Sequence, residues 1–314
     1  MVSSKNKQDG LSVSERIEKN KQSNSSTAFV EKLVPKLLLL CATLSVLVTL
    51  GILYTLLSET FTFFNEVSVI EFFTSTHWNP WRDSYGILSL ISGTLLITVT
   101  AMIIAIPLGV ASAIFLSEYA SDKVRRMLKP ILEVLAGIPT VVYGFFALTF
   151  VTPMLDKIIP GLSFFNALSA GIVVGIMIVP MVASLTEDAM GAVPNVLREG
   201  AMALGATRLE TTVKVVIPAA LSGIVASFAL AMSRAIGETM IVAIAAGATP
   251  KFSFDPTQSI QTMTGYIVQV STGDVSYGST IYYSIYAVGT TLFVFTLIMN
   301  LLAQYISRRF REEY

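Results

Sequence analysis

Arg234 and Glu238 are opposite charges four residues apart inside an apolar stretch from about Ala219 to Ala246. On a continuous helix that spacing puts both on one face. The stretch is long enough to cross a bilayer, where a charge costs roughly 2.5–3.5 kcal/mol on insertion scales. A chain keeps such residues where they pair, meet water or handle a polar cargo. A guanidinium is a rigid fork of donors suited to an oxyanion. A carboxylate would repel the same ion, so the part expected of Glu238 is to hold Arg234 while a path is empty and to release it when the anion arrives. A salt bridge that only fixes helix packing is the plainer alternative. The pair is a first pointer to movement of a charged solute across a membrane.

The composition agrees. Apolar residues make up 53% of the 314 and charged residues 13%, against about 25% charged in soluble domains. Cys41 is the single cysteine and forms no internal disulfide; in its apolar run it is expected to be a structural thiol. One histidine, His77, and one cysteine leave no zinc or haem cluster, although carboxylates remain for a hard metal. No Walker A loop and no strand-borne GxGxxG occur, so any nucleotide is expected on another subunit. Residues 1–30 are rich in Lys, Ser, Asn and Gln, too polar for a signal peptide, and read as a flexible tail.

Six apolar segments are expected to span the membrane: about Leu33–Leu57, Ile87–Leu116, Val134–Leu155, Leu168–Leu185, Ala219–Ala246 and Ile281–Tyr305. The second is long, so a tilt or a kink at Pro107 is expected. The third carries Gly137, Pro139 and Gly144. The fourth holds Gly171 and Gly175 in a GxxxG spacing that allows close helix approach. With six spans, the basic residues Lys5 to Lys36, Lys123 to Lys129, Arg198 to Lys214 and Arg308 to Arg311 fall on one side. Arg82, Lys157 and Lys251 fall on the other. That bias places both termini in the cytoplasm. Outside, residues 58–86 carry Phe61, Phe63, Phe64, Trp78 and Trp81, read as headgroup anchors. Residues 247–280 are read as a docking surface or a re-entrant piece lining a cavity.

The cytoplasmic link at about 190–218 reads as an amphipathic helix, a glycine turn and a second helix. Pro194 suits a start and Gly205 an end. Such a helix fits a groove in a soluble partner or lies on lipid. Its run Glu199-Gly200-Ala201-Met202-Ala203-Leu204-Gly205, closed by Val215, Ile217 and Pro218, resembles the EAA loop of ATP-binding-cassette importer permeases. That loop has the form E-A-A, three residues, G, nine residues, a hydrophobic residue, one residue, L-P. Gly200 departs from the first Ala and Ile217 from the Leu. Ser233-Arg-Ala-Ile-Gly-Glu-Thr-Met240 and Ala136-Gly-Ile-Pro-Thr-Val-Val-Tyr-Gly-Phe145 resemble phosphate-importer permeases, most of all the PstC type.

The resemblance, over about Gly86–Arg311, implies an all-α membrane protein with the type I importer permease fold and a permease domain over 31–311. It implies a PstA-like second permease, two PstB-like ATPases carrying ATP and Mg, an external phosphate-binding protein and a link to a phosphate-sensing kinase. No nucleic acid is expected, and no cofactor on this chain. Glu199, Gly200, Ala201, Gly205, Ile217 and Pro218 would then couple to the ATPases, with Arg234 and Glu238 on the substrate path. The related PstA type, importers of sulfate or molybdate, and an ion-coupled secondary transporter remain as alternatives.

Overall fold

The computed structural model describes the backbone of residues 25–309 and the side chains of residues 33–307, and it divides into two units after Thr55. Of the expected tail, residues 1–24 lie outside the described residues, and Ser25 already begins helix α1 (Ser25–Glu66). Within the first unit α1 is apolar around its whole circumference, and Leu38, Leu39, Leu47 and Ile52 are all exposed. Cys41 is exposed too, so it packs into no core. A helix with no polar face fits lipid or another apolar surface.

The second unit opens with the end of α1, α2 (Val69–Thr74) and a two-stranded hairpin, β1 (Trp78–Asn79) and β2 (Ser84–Tyr85). Trp78 stands opposite Tyr85 and Asn79 opposite Ser84, with Asp83 in the left-handed region at φ 52°. The aromatics here correct the headgroup-anchor expectation. Phe63, Phe72, Trp78 and Tyr85 are buried and meet edge to face, with Trp78 also against Tyr266 at a centroid distance of 4.8 Å. Edge-to-face contact suits the ring quadrupole, so the rings close a small core of their own. Phe61 and Trp81 stay exposed.

Next come α3 (Leu88–Ile114), α4 (Asp122–Ala136), α5 (Thr140–Phe146), α6 (Thr152–Asp156) and α7 (Ala167–Gly191). They are followed by α8 (Asn195–Ala203), α9 (Arg208–Thr211), α10 (Ile217–Ile236), α11 (Met240–Ala245), α12 (Met263–Thr272) and α13 (Thr280–Arg309). Helix α3 continues unbroken through Pro107 and ends in a π turn at Phe115–Tyr119. Two more π turns, Ala147–Val151 and Thr212–Val216, join α5 to α6 and α9 to α10.

Among the described residues five helices are long and apolar enough to cross a membrane, six if α4 with α5–α6 counts as one. That pair is bent by 84°, which corrects the third expected span. Val134 to Ala136 belong to α4, an amphipathic helix with no buried residue. Gly137 caps it, and Pro139, which has no N–H to continue the ladder, sits ahead of α5. The fifth expected span is also divided, by the break at Gly237–Thr239 between α10 and α11.

The core is built on α3 against α7. The GxxxG spacing is used there: a Cβ on Gly171 would stand 2.7 Å from Thr100 Cβ, and one on Gly175 2.9 Å from the Ala101 carbonyl. Residues 247–280 are two things at once. Phe252 and Phe254 are exposed, and the Thr257 hydroxyl and N–H hold the nearby Asp255 carboxyl below its usual range. Ile260 to Thr262 instead are buried, non-helical backbone leading into α12, whose first residue, Met263, donates its N–H to Thr94 Oγ1 at 3.1 Å. Such backbone is tolerated at depth where protein surrounds it.

Replacing Gly175 by leucine drives a side chain into the α3 backbone. It should cost about 1–3 kcal/mol or more, read as a lowered thermal midpoint in detergent. An unchanged midpoint would show that the two helices do not touch there.

Candidate translocation and coupling site

Helix α10 carries Arg234 in its last turn, where a cation suits the negative end of the helix dipole. Gly237 caps the helix, its N–H reaching Ser233 O at 3.1 Å. Glu238 lies beyond that cap, so the expected shared helix face is corrected: the helix stops between the two residues. The chain restarts at Met240 as α11, whose first N–H groups have no earlier carbonyl to meet. Glu238 supplies the acceptor, its Oε1 taking the Met240 N–H at 3.0 Å and the Ile241 N–H at 3.2 Å. Its side chain is buried, and its own carbonyl accepts the Thr264 hydroxyl at 2.7 Å. Among the described residues no ion pair joins Arg234 to Glu238. Glu238 is thus engaged with backbone rather than with the guanidinium.

Arg234 is exposed and lines a cavity of about 340 Å³ with Met177 and Ser184 of α7 and Lys129 and Glu133 of α4. The spacing of Arg125, Lys129 and Glu133 places them along one side of α4. Arg125 and Lys129 meet Glu187 of α7, a carboxylate with no exposed side-chain surface. Arg125 Nη2 donates to Oε1, and Lys129 Nζ lies 2.5 Å from Oε2. The fourth expected span ends at Leu185, and sequence reasoning passes over Glu187 just beyond it. The available signal is a carboxylate past the end of an apolar run, facing a basic ladder on an amphipathic segment.

The coupling candidates sit on the loop between α7 and α10. Pro194 precedes α8, Gly205 takes φ 90° after it, and Thr207 with Glu210 forms a capping box that starts α9. The helix, glycine turn and second helix therefore form as expected, and the second runs on through Ile217 and Pro218 into α10. Glu199, Gly200 and Gly205 are exposed, Ala201 is half-buried, and Val196 and Leu204 stand out from the surface at 75% and 92% exposure. An apolar display of that kind on a short helix is the form of a ridge that enters a partner's groove.

The opposite side of α8 is tied down by Arg198, a residue not singled out in the sequence. Its Nη2 donates to Glu118 Oε1 at 3.0 Å and to Met190 O at 2.7 Å, and its Nη1 to Val193 O at 2.6 Å. Glu118 belongs to the π turn that ends α3. One guanidinium thus joins α3, the end of α7 and the coupling helix. Met190, Val193, Val216, Ala220 and Ile224 form the small apolar cluster beneath.

Residues 105–312 match the family of binding-protein-dependent transport system inner membrane components. Over 311 residues the chain is 35% identical to the probable ABC transporter permease protein YqgH of Bacillus subtilis, covering 97% of this chain and 98% of that one. It is 35% identical over 261 residues to the phosphate transport system permease protein PstC of Mesorhizobium japonicum, covering 76% of this chain and 78% of that relative. A bacterial alginate ABC transporter, crystallised with its alginate pentasaccharide-bound periplasmic protein, aligns with 94% of this chain and 98% of its own chain. The TM-score is 0.60 at 17% identity, a likeness of fold.

The cap assigned to Glu238 separates charge from hydrogen bonding. Glu238→Ala should lower stability by about 0.5–2 kcal/mol, the usual loss for a helix cap, and Glu238→Gln, which keeps an acceptor oxygen, should recover most of it. Equal losses in thermal melts of the two variants would rule out the cap.

Proposed function

The chain belongs to the binding-protein-dependent transport system inner membrane components, as a multi-pass permease subunit of an ABC importer, and we propose that its cargo is inorganic phosphate. The observation that carries this reading is the Arg234 guanidinium, exposed at the wall of a cavity and joined to no carboxylate among the described residues. A phosphate losing its hydration shell needs charge-assisted donors at fixed positions, and an arginine fork offers two together. The relatives named as phosphate permeases support the same cargo. Glu238 serves the path indirectly, by fixing the helix break next to Arg234.

In this reading both termini are cytoplasmic, residues 31–311 are the permease domain and residues 1–30 precede it. A PstA-like permease completes the pathway. Two PstB-like ATPases hold ATP and Mg, an external binding protein delivers phosphate, and a phosphate-sensing kinase is a further contact. ATP draws the ATPases together, and their grooves carry α8, with Glu199, Gly200 and Ala201, toward each other. The joint at Gly205 and the start of α10 at Ile217 and Pro218 pass that displacement to the helix that bears Arg234. The permease then opens outward, accepts phosphate, and resets on hydrolysis.

Arg234→Gln, in complexes assembled at parental levels, should abolish ATP-driven phosphate uptake; normal uptake would remove the pathway role. Because the two residues are not paired, exchanging them (Arg234→Glu with Glu238→Arg) should fail to restore uptake, and restoration would refute the assignment of Glu238. Gly205→Val puts a β-branched side chain at φ 90°, at a cost of roughly 1–2 kcal/mol for the left-handed conformation. It should uncouple ATP hydrolysis from uptake while leaving phosphate affinity of the binding protein unchanged, and normal ATP-driven uptake would count against the coupling role.

A further inference from the structure

The cavity that holds Arg234 has a second cation whose resting partner lies on the same wall. The geometry points to Lys129 as a second anion-binding group on the phosphate path and to Glu187 as the carboxylate that takes it back when the anion leaves, an inference that rests on the phosphate reading above.

Glu187 is fully buried, whereas Lys129 and Arg125 keep 34% and 38% of their side chains exposed. A buried carboxylate left without a cation is strongly unfavourable. Here it has two, one on each oxygen. Arg125 alone satisfies the charge of Glu187, so Lys129 can leave without stranding it. The ammonium is suited to that: a point charge with three donors on a flexible four-carbon stem, unlike the planar fork of Arg125. Its other acidic neighbour, Asp188 Oδ1, is 3.4 Å away and 62% exposed, so solvent weakens that hold.

Lys129, Glu187 and Arg234 line one cavity of about 340 Å³, ample for a phosphate ion. A phosphate dianion that leaves Arg234 meets Lys129 next and draws it off Glu187. Once the anion departs, Glu187 competes for the ammonium and empties the site. No bond is made or broken; one ion pair is exchanged for another. The carboxylate role first expected of Glu238 is thereby filled by a different acid acting on a different cation.

The test uses the full complex in proteoliposomes with the ATPase side facing the bath and the binding protein and labelled phosphate in the lumen. ATP in the bath drives the label outward, and unlabelled phosphate added to the bath competes at the exit. Lys129→Gln should raise the bath phosphate needed for half-inhibition by about tenfold, the loss of one charge-assisted hydrogen bond. Glu187→Gln should lower it, because no carboxylate then competes with the anion for Lys129. Lys129→Arg, which keeps the charge, should stay within a factor of about three of the parent.

A latch that merely holds α4 to α7 predicts shifts of the same sign in Lys129→Gln and Glu187→Gln, or none, and either outcome overturns the inference. If Glu187→Gln does not assemble, Lys129→Gln, at a part-exposed position, decides alone: unchanged inhibition overturns it. Loss of transport in Arg234→Gln together with unchanged inhibition in Lys129→Gln rejects only the second station, whereas normal transport in Arg234→Gln rejects the path itself.

Discussion

A helix that stops inside apolar surroundings leaves N–H groups that must find acceptors, and the region around Arg234 is arranged around one such stop. Glu238 meets that demand with a single buried oxygen shared by Met240 and Ile241. Because the acceptor is local, α10 is free to end at Gly237, and Arg234 is presented at a helix end rather than held in the middle of a packed face. The Glu238 carbonyl then accepts the Thr264 hydroxyl, so the first turn of α12 closes on the same break. Charge, break and α12 are one construction, held by hydrogen bonds that are strong because little water competes for them.

A second arrangement of the same kind ties the α8 loop to the helix bundle. Arg198 is 15% exposed and Glu118 10%, so their pair is screened far less than a surface salt bridge. The two carbonyls to which Arg198 also donates, those of Met190 and Val193, make the guanidinium a hub rather than one half of a pair. Arg198 therefore ties α8 to α3 through a polar joint, while α8 connects to α10 through the Gly205 turn and the helix that runs on from α9. Val196 on α8 and Leu204 just past its end both stand exposed, with no role in the chain's own packing.

Much of this is legible in the sequence. Long apolar runs mark α3, α7 and α13 close to their observed limits and the middle of α1, which starts earlier and ends later than its apolar run, because hydropathy over twenty residues outweighs local preference. The glycine turn after α8 is legible because a left-handed residue calls for glycine. The third and fifth expected spans are too long for one reason: Ala136 and Ala246 are as apolar as any membrane residue, and hydropathy is blind to the bends at Gly137–Pro139 and Gly237–Thr239. The expected partner of Glu238 is wrong because i,i+4 spacing presumes an unbroken helix. Glu187 and Arg198 escape a sequence reading because their meaning lies in residues 62 and 80 positions away, which no local pattern reports. The buried aromatics pass for headgroup anchors because a tryptophan near a span end looks the same in sequence whether it faces lipid or another ring.

The π turn at Phe115–Tyr119 holds one residue more than the α turn it replaces. One residue is about 100° of helical rotation. Without that surplus amino acid, the carboxylate of Glu118 would point around the axis, away from Arg198. The direction in which the bundle grips the α8 loop is thus set by a count: a deletion of one neighbouring residue in this stretch, with Glu118 itself kept, would swing its carboxylate out of reach.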